Sequence, residues 1–146
     1  MSVISKGAQN PVRFVRPTFK FPNARSAFRA YIQSLGLGPA EVWVSHSDKG
    51  LISALAYVAH YLKVPVGTVN VENVGSADSV QFSERKIASI TIHSLTQEKF
   101  NEHILHTAND KIAAIQLDDY YQTYRLLAAY LVYLDLAVDI DPTKSH

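Results

Sequence analysis

The chain of 146 residues contains no cysteine. Disulfides, thiolate metal sites and cysteine nucleophiles are thereby excluded. It also has no apolar run of transmembrane length; the nearest, Leu126 to Val138, is too short and carries Asp135. The opening MSVISKGAQNPV lacks the apolar core of a secretory signal. The expected location is therefore intracellular (cytoplasmic) or in a virion, without export by a signal peptide. No glycine-rich phosphate loop follows a strand, because GLGPAE precedes one and so fails the context of a dinucleotide fingerprint. Charged residues are scarce, at 18% against 47% hydrophobic, so part of the surface is expected to be covered by a partner.

The scarcest feature is negative charge at the front. Residues 1–40 hold six basic residues and no carboxylate, whereas residues 41–146 hold eight basic and 13 acidic residues. The net charge of +1 thus hides a front of +6 and a body of −5. Such a split suggests a basic arm that meets something negative. The stretch VRFVRPTFKFPNARSAFRA, Val12 to Ala30, concentrates it, with five positive charges and four phenylalanines. Pro17 removes a donor, which restricts Val12–Phe21 to an edge strand or an extended arm. Arg13, Arg16, Phe19, Lys20, Phe21, Arg25 and Arg29 are the candidate partner-binding residues.

Downstream, the spacing of Ala24, Ala27, Phe28, Tyr31, Ile32 and Leu35 predicts a helix over 24–35, stopped by Gly36 in a left-handed conformation. EVWVS reads as a buried strand over 41–45. Ser47 or Asp48 then caps a helix over 49–63 that Pro65 stops. Strands are predicted over 68–74, 86–93 and 111–117. Ser94 with Gln97 resembles a capping box for a helix over 95–108. Asp118 begins the last helix, expected to run continuously to about 138. Strand–helix alternation predicts an α/β fold, a single domain with a mainly parallel sheet of four to five strands flanked by helices. Its expected organisation is a basic N-terminal arm or edge strand over 1–21, the domain over 22–141 and a short tail over 142–146.

Ligands in such folds sit beyond the C-terminal strand ends, which singles out Ser45–Asp48, His93–Ser94 and Asp118–Asp119. In VWVSHSDKG, His46 and Asp48 combine a titratable ring and a carboxylate at a helix start, a pairing suited to acid–base work, with Lys49 beside an anion-attracting helix N-terminus. Capping alone also accounts for Ser47 and Asp48. His93 ends another predicted strand and would share a cleft with His46 if the two strands ran side by side. Paired-histidine phosphoesterases place a hydroxyl two residues after each histidine; here Ser47 and Ser94 follow directly. Glu102, His103 and His106 lie together on a predicted helix, but without the spacing of the helical zinc motif, and an exposed polar face explains them. His60 shares a polar stripe with Lys49 and Ser53. Tyr120, Tyr121, Tyr124, Tyr130 and Tyr133 read as packing and interface groups.

VWVSHSDK followed by an apolar helix resembles the opening strand and loop of TIR domains, and SITIHSLTQEKFNEH followed by IAAIQL is similar to their later strand–helix–strand run. The resemblance covers about a third of the chain and implies Glu102 as the match to that family's NAD-cleaving glutamate; the Trp-Cys pair usual before it is missing. The same loop equally resembles sugar-phosphotransfer IIA domains and phosphoesterases with Asp-rich openings.

Three functions follow as expectations. The first is a non-enzymatic interaction or assembly protein, a homo-oligomer whose arm docks on an acidic partner surface such as a neighbouring copy; a virion component or a small viral inhibitor fits that profile. The second is a small enzyme acting on a nucleotide or phosphorylated small molecule through His46, Asp48, His93 and Glu102. The third is a nucleic-acid binder through residues 13–29. No metal, cofactor or membrane partner is expected.

Overall fold

The structure, a computed structural model, describes residues 29–69, 80–95 and 107–138. In chain order these form β1 (Arg29–Gln33), β2 (Ala40–Trp43), α1 (Lys49–Leu62), β3 (Val66–Val69), a short α2 (Val80–Glu84), β4 (Ser89–His93), a 3-10 turn (Ile112–Ala114) and α3 (Leu117–Val138). The expected arm over 1–21 and the helix over 95–108 fall on residues outside these ranges, apart from Leu95, Thr107 and Ala108.

The four strands make one sheet in the order β1–β4–β2–β3. β1 pairs with β4 and β2 with β3 in parallel, while β2 and β4 run antiparallel. The sheet is thus mostly parallel with one antiparallel pair. Alternation along β4 splits its side chains between two faces. Ile90 and Ile92 join Ala40 and Val42 in the apolar core, whereas Ser89, Thr91 and His93 occupy the other face and are buried as well.

Two expectations are corrected. The helix read over 24–35 is a strand where the structure describes it, since Arg29–Gln33 is β1. Its apolar spacing suits either element, and the parallel ladder to β4, Ala30 against Ile90 and Ile32 against Ile92, decides the outcome. The strand read over 111–117 is a 3-10 turn followed by the start of α3. Its backbone bonds locally, Ala114 N–H to the Lys111 carbonyl and Ile115 N–H to that of Ile112, so no ladder forms. Ile112 is consequently left 87% exposed.

α1 begins where Asp48, in extended backbone, accepts from the Leu51 N–H at 3.0 Å. It buries Leu51, Ala54, Leu55, Val58 and Ala59, the i, i+3, i+4, i+7, i+8 stripe of an amphipathic helix. Lys63 closes it in the left-handed conformation, φ 56°, with its N–H on the Ala59 and His60 carbonyls. α3 faces the same core with Leu126, Leu127, Tyr130 and Leu134, and the Tyr57 and Tyr133 rings meet at 5.5 Å. Tyr130 is fully buried and its hydroxyl donates to the Leu51 carbonyl at 3.0 Å, tying the two helices together.

Gly36, expected as a left-handed stop, has φ +83°, but it turns the chain from β1 to β2. The Gln116 N–H donates to its carbonyl at 2.7 Å, and a Cβ there would lie 2.8 Å from Ile115 Cγ2 and 3.0 Å from Tyr120 Cβ. Gly36→Ala is therefore expected to cost more than about 1 kcal/mol, from backbone strain and from displacing the start of α3. The urea unfolding midpoint reads this directly.

Candidate functional site

The antiparallel sense of β2 and β4 decides which sequence candidates meet. It sets Glu41 directly opposite His93 and Val42 opposite Ile92. Parallel pairing puts Gln33 on the other side of His93 and Gly67 on the other side of Glu41. One row across the sheet therefore reads Gln33, His93, Glu41, Gly67, all on one face because laterally paired residues share a face.

His93 Nδ1 lies 3.9 Å from Glu41 Oε2, with the two side chains 5% and 20% exposed. That distance exceeds a hydrogen bond. The His93 Nδ1 accepts instead from the Leu95 N–H at 3.2 Å, which leaves the neutral ring's proton on Nε2. Nε2, Glu41 Oε2 and the Ser94 hydroxyl are buried with no hydrogen-bond partner. Burial pushes the Glu41 carboxyl above its usual range. It pushes the His93 imidazole below its own, with the Leu95 backbone contact acting the other way. Both shifts favour neutral forms, the expected response of desolvated groups. Room for the carboxylate comes from Gly67, where a Cβ would sit 3.1 Å from Glu41 Cγ.

His46 belongs to a different neighbourhood. After Trp43 the chain leaves the ladder, and the following loop satisfies β4 by other means. The Ser47 hydroxyl accepts from the Thr91 N–H at 3.1 Å, and the Asp48 N–H donates to the Ser89 carbonyl at 2.7 Å. Loop 44–48 thus runs along the first half of β4, whereas His93 closes its far end. The shared cleft expected for His46 and His93 is not formed, because it required parallel strands. For the same reason the C-terminal ends of β2 and β4 point in opposite directions, and Asp118–Asp119 follow a turn instead of a strand. His46 packs its ring edge-on to Trp43 at 5.0 Å, and the Trp43 Nε1 donates to the Ser45 hydroxyl at 2.8 Å.

Asp48 works as the helix cap and as a negative neighbour of Tyr130, whose phenol is held protonated by burial first and by Asp48 second. Asp48→Ala is expected to cost about 1 kcal/mol through loss of the cap, measured as a lowered thermal midpoint. Among the remaining candidates, Arg29 lies exposed on β1, and His60, Lys49 and Ser53 are exposed on α1. Arg13, Arg16, Phe19, Lys20, Phe21, Arg25, Glu102, His103 and His106 lie outside the described residues. Among the described residues, no group of three or more His, Asp or Glu is arranged to hold a metal ion, and no helix is long and apolar enough to cross a membrane.

Sequence reasoning missed Glu41, and of the outer face of α3 it named only the tyrosines, as packing and interface groups. Leu117, Tyr120, Tyr121, Tyr124, Leu131, Val132 and Leu136 are all exposed large apolar side chains on that one helix. Leu117 is 77%, Val132 61%, Tyr124 59% and Tyr121 58% exposed. Projected at 100° per residue, Leu117, Tyr121, Tyr124, Val132 and Leu136 point away from Leu126, Tyr130 and Leu134, while Tyr120 and Leu131 lie at the edge of that arc beside Leu127. Asp118, Arg125 and Asp135 are the charged residues within this arc, and the Arg125 guanidinium lies 5.8 Å from the centre of the Tyr121 ring. The signal was present in the spacing, since α3 is apolar on both sides, whereas a helix with one buried face has a polar outer side.

No family model and no curated protein matches the chain. Among solved structures it is similar to the crystal structure of LapA from Legionella, with a TM-score of 0.58 and 22% identity over 72% of this chain. The match spans 31% of the LapA chain, so this protein corresponds to under a third of that structure. At that identity the likeness concerns the fold alone: a small α/β arrangement with a mostly parallel four-stranded sheet.

Proposed function

We propose that this is a non-enzymatic assembly protein that associates with copies of itself, using an exposed helix face and a basic, aromatic leader as its contact surfaces. The observation that carries the reading is the outer face of α3. Seven large apolar side chains facing water on one 22-residue helix is a costly surface for a monomer. Burying one such side chain is worth about 1.5–3 kcal/mol, and contiguous patches of this kind mark interaction sites. The leader adds charge. Arg13, Arg16, Lys20, Arg25 and Arg29 precede a body that carries a net −5, so a neighbouring copy offers the leader an acidic surface. Phe19 and Phe21 supply apolar anchors for the same contact.

Two features support this reading over chemistry at His93. The ring is almost fully enclosed, and the residue it faces is Glu41 instead of the His46–Asp48 loop.

Light scattering on the full chain tests the proposal. The expected mass at low salt is a multiple of 16.2 kDa. Reversing Arg13, Arg16 and Lys20 to Glu is expected to reduce it, as is raising salt, because the leader's contribution is electrostatic. A mass of one chain at every concentration and salt would overturn the reading.

A further inference from the structure

We infer that Glu41 and His93 form a proton-operated latch: one proton taken up from solvent between Glu41 Oε2 and His93 Nδ1 displaces the Leu95 N–H and frees the backbone just beyond β4. The latch stands apart from the self-association proposed above. Three observations lead there.

The first is competition for one lone pair. His93 Nδ1 accepts from the Leu95 N–H at 3.2 Å and lies 3.9 Å from Glu41 Oε2. A neutral imidazole has a single acceptor nitrogen. Nδ1 therefore serves Leu95 or a proton shared with Glu41, but not both. Nε2 carries a hydrogen in the neutral ring and in the cation, so the change is confined to Nδ1.

The second is an unmet acceptor. Oε2 is buried with no hydrogen-bond partner, and Nδ1 stands about 1 Å beyond hydrogen-bond reach. The missing side chain at Gly67 leaves the glutamate room to turn. Once a proton is present, two arrangements are open. The imidazolium donates from Nδ1 to the carboxylate, or the carboxylic acid donates to the neutral Nδ1. Both satisfy Oε2, and both take the lone pair from Leu95. The outcome is the same whichever residue formally holds the proton, as for any coupled pair. Desolvation disfavours the lone carboxylate and draws this proton in above the ordinary carboxylate value of 4.5.

The third is isolation. In the same row of the sheet, β1 contributes Gln33 and β3 contributes Gly67, and neither titrates. One row along, Tyr31 stands beside Thr91, and a phenol ionises only in alkali. Arg29, at the far end of β1, is permanently charged and lies four residues from Gln33, about 13 Å along the strand. α2 meets this face through Phe82, whose ring is 5.5 Å from Tyr31; the Glu84 and Arg85 that follow are exposed. His46 packs on Trp43, and Asp48 meets β4 at Ser89, toward its opposite end. Among the described residues, Glu41 and His93 are thus the groups that titrate in acid at this end of the sheet.

The test uses the isotope-labelled full chain. The Glu41 carboxyl and His93 ring signals are followed by NMR from pH 8 to pH 4, together with amide exchange at Leu95. One proton-uptake step in those signals is expected to coincide with a loss of Leu95 protection. After correction for the intrinsic pH dependence of exchange the loss is about fivefold, the scale of one hydrogen bond. Val58, inside α1, is expected to keep its protection. Glu41→Leu removes the group that shares the proton, and Leu95 is then expected to stay protected to about one pH unit lower. Leu95 protection that is unchanged across the step overturns the inference. So does loss of protection at the same pH in the parent and in Glu41→Leu. Neither result alters the solution mass, so self-association is judged separately.

Discussion

Replacing Tyr130 with alanine is expected to lower the unfolding free energy by about 3–5 kcal/mol, the range for emptying a buried aromatic site. Tyr130 has no exposed surface and sits in the core among residues of α1, α3 and the sheet. Removing its ring opens a cavity where the two long helices meet, and removing its hydroxyl strips the Leu51 carbonyl of a donor. Tyr130→Phe separates these contributions. It keeps the ring and is expected to cost about 1 kcal/mol, the net worth of one hydrogen bond. The two variants also differ from the parent in alkali. Burial and Asp48 hold the folded-state phenol well above its unfolded value of 10.0. Above that pH the unfolded chain releases a proton that the folded chain retains, so the parent loses stability as pH rises. Tyr130→Phe is expected to lack this share of the alkaline loss. Urea midpoints at pH 7 and pH 11 for the three proteins check both statements.

Glu41→Leu is expected to stabilise the fold at pH 7 by about 1 kcal/mol, the low end of the cost of a buried acceptor left without a partner, since the side chain keeps some contact with solvent. Oε2 has no hydrogen-bond partner, and among the described residues the ionisable group beside it is an imidazole whose own charge burial disfavours. The raised folded-state pKa gives the sign. Between the unfolded value of 4.5 and the higher folded value, the folded chain holds the extra proton, so stability contributed at low pH is lost as pH rises. The gain from Glu41→Leu is therefore expected to shrink toward pH 4. His93 works in the opposite direction: its lowered folded pKa means that stability is lost as pH falls below its unfolded value of 6.5. Stability curves of Glu41→Leu and the parent from pH 4 to pH 8 check this, and a gain that grows toward acid would contradict the assignment.

Much of the architecture could be read from local signals. Asp48, the apolar stripe of α1 and Pro65 announce a capped, terminated helix, and it forms from Lys49 to Leu62. The final helix was also legible, although its alternating Val132, Leu134 and Leu136 invite a strand; the uninterrupted run from Leu117 decides for helix. β1 was not legible, because Tyr31 and Ile32 satisfy helical spacing as well as a strand, and the deciding contact is with β4, about sixty residues away. The antiparallel step between β2 and β4 was hidden for a related reason: strand direction is set by how the intervening segments return, which periodicity does not record. That step determined the candidate site. It exchanged His46 for Glu41 as the neighbour of His93, and a lone glutamate at the start of an apolar strand carries no motif. The α3 stripe was readable in principle, since Leu117, Tyr121, Tyr124 and Leu131 keep a heptad spacing, but apolar residues on both faces of a helix read as ordinary core until exposure is known.

Sedimentation equilibrium of the full chain beside its Tyr124→Glu variant, over a wide concentration range, bears most directly on the claim that copies meet through the outer face of α3. The account predicts a parent mass that is a multiple of 16.2 kDa and falls in the variant. Equal masses for the two proteins would contradict it.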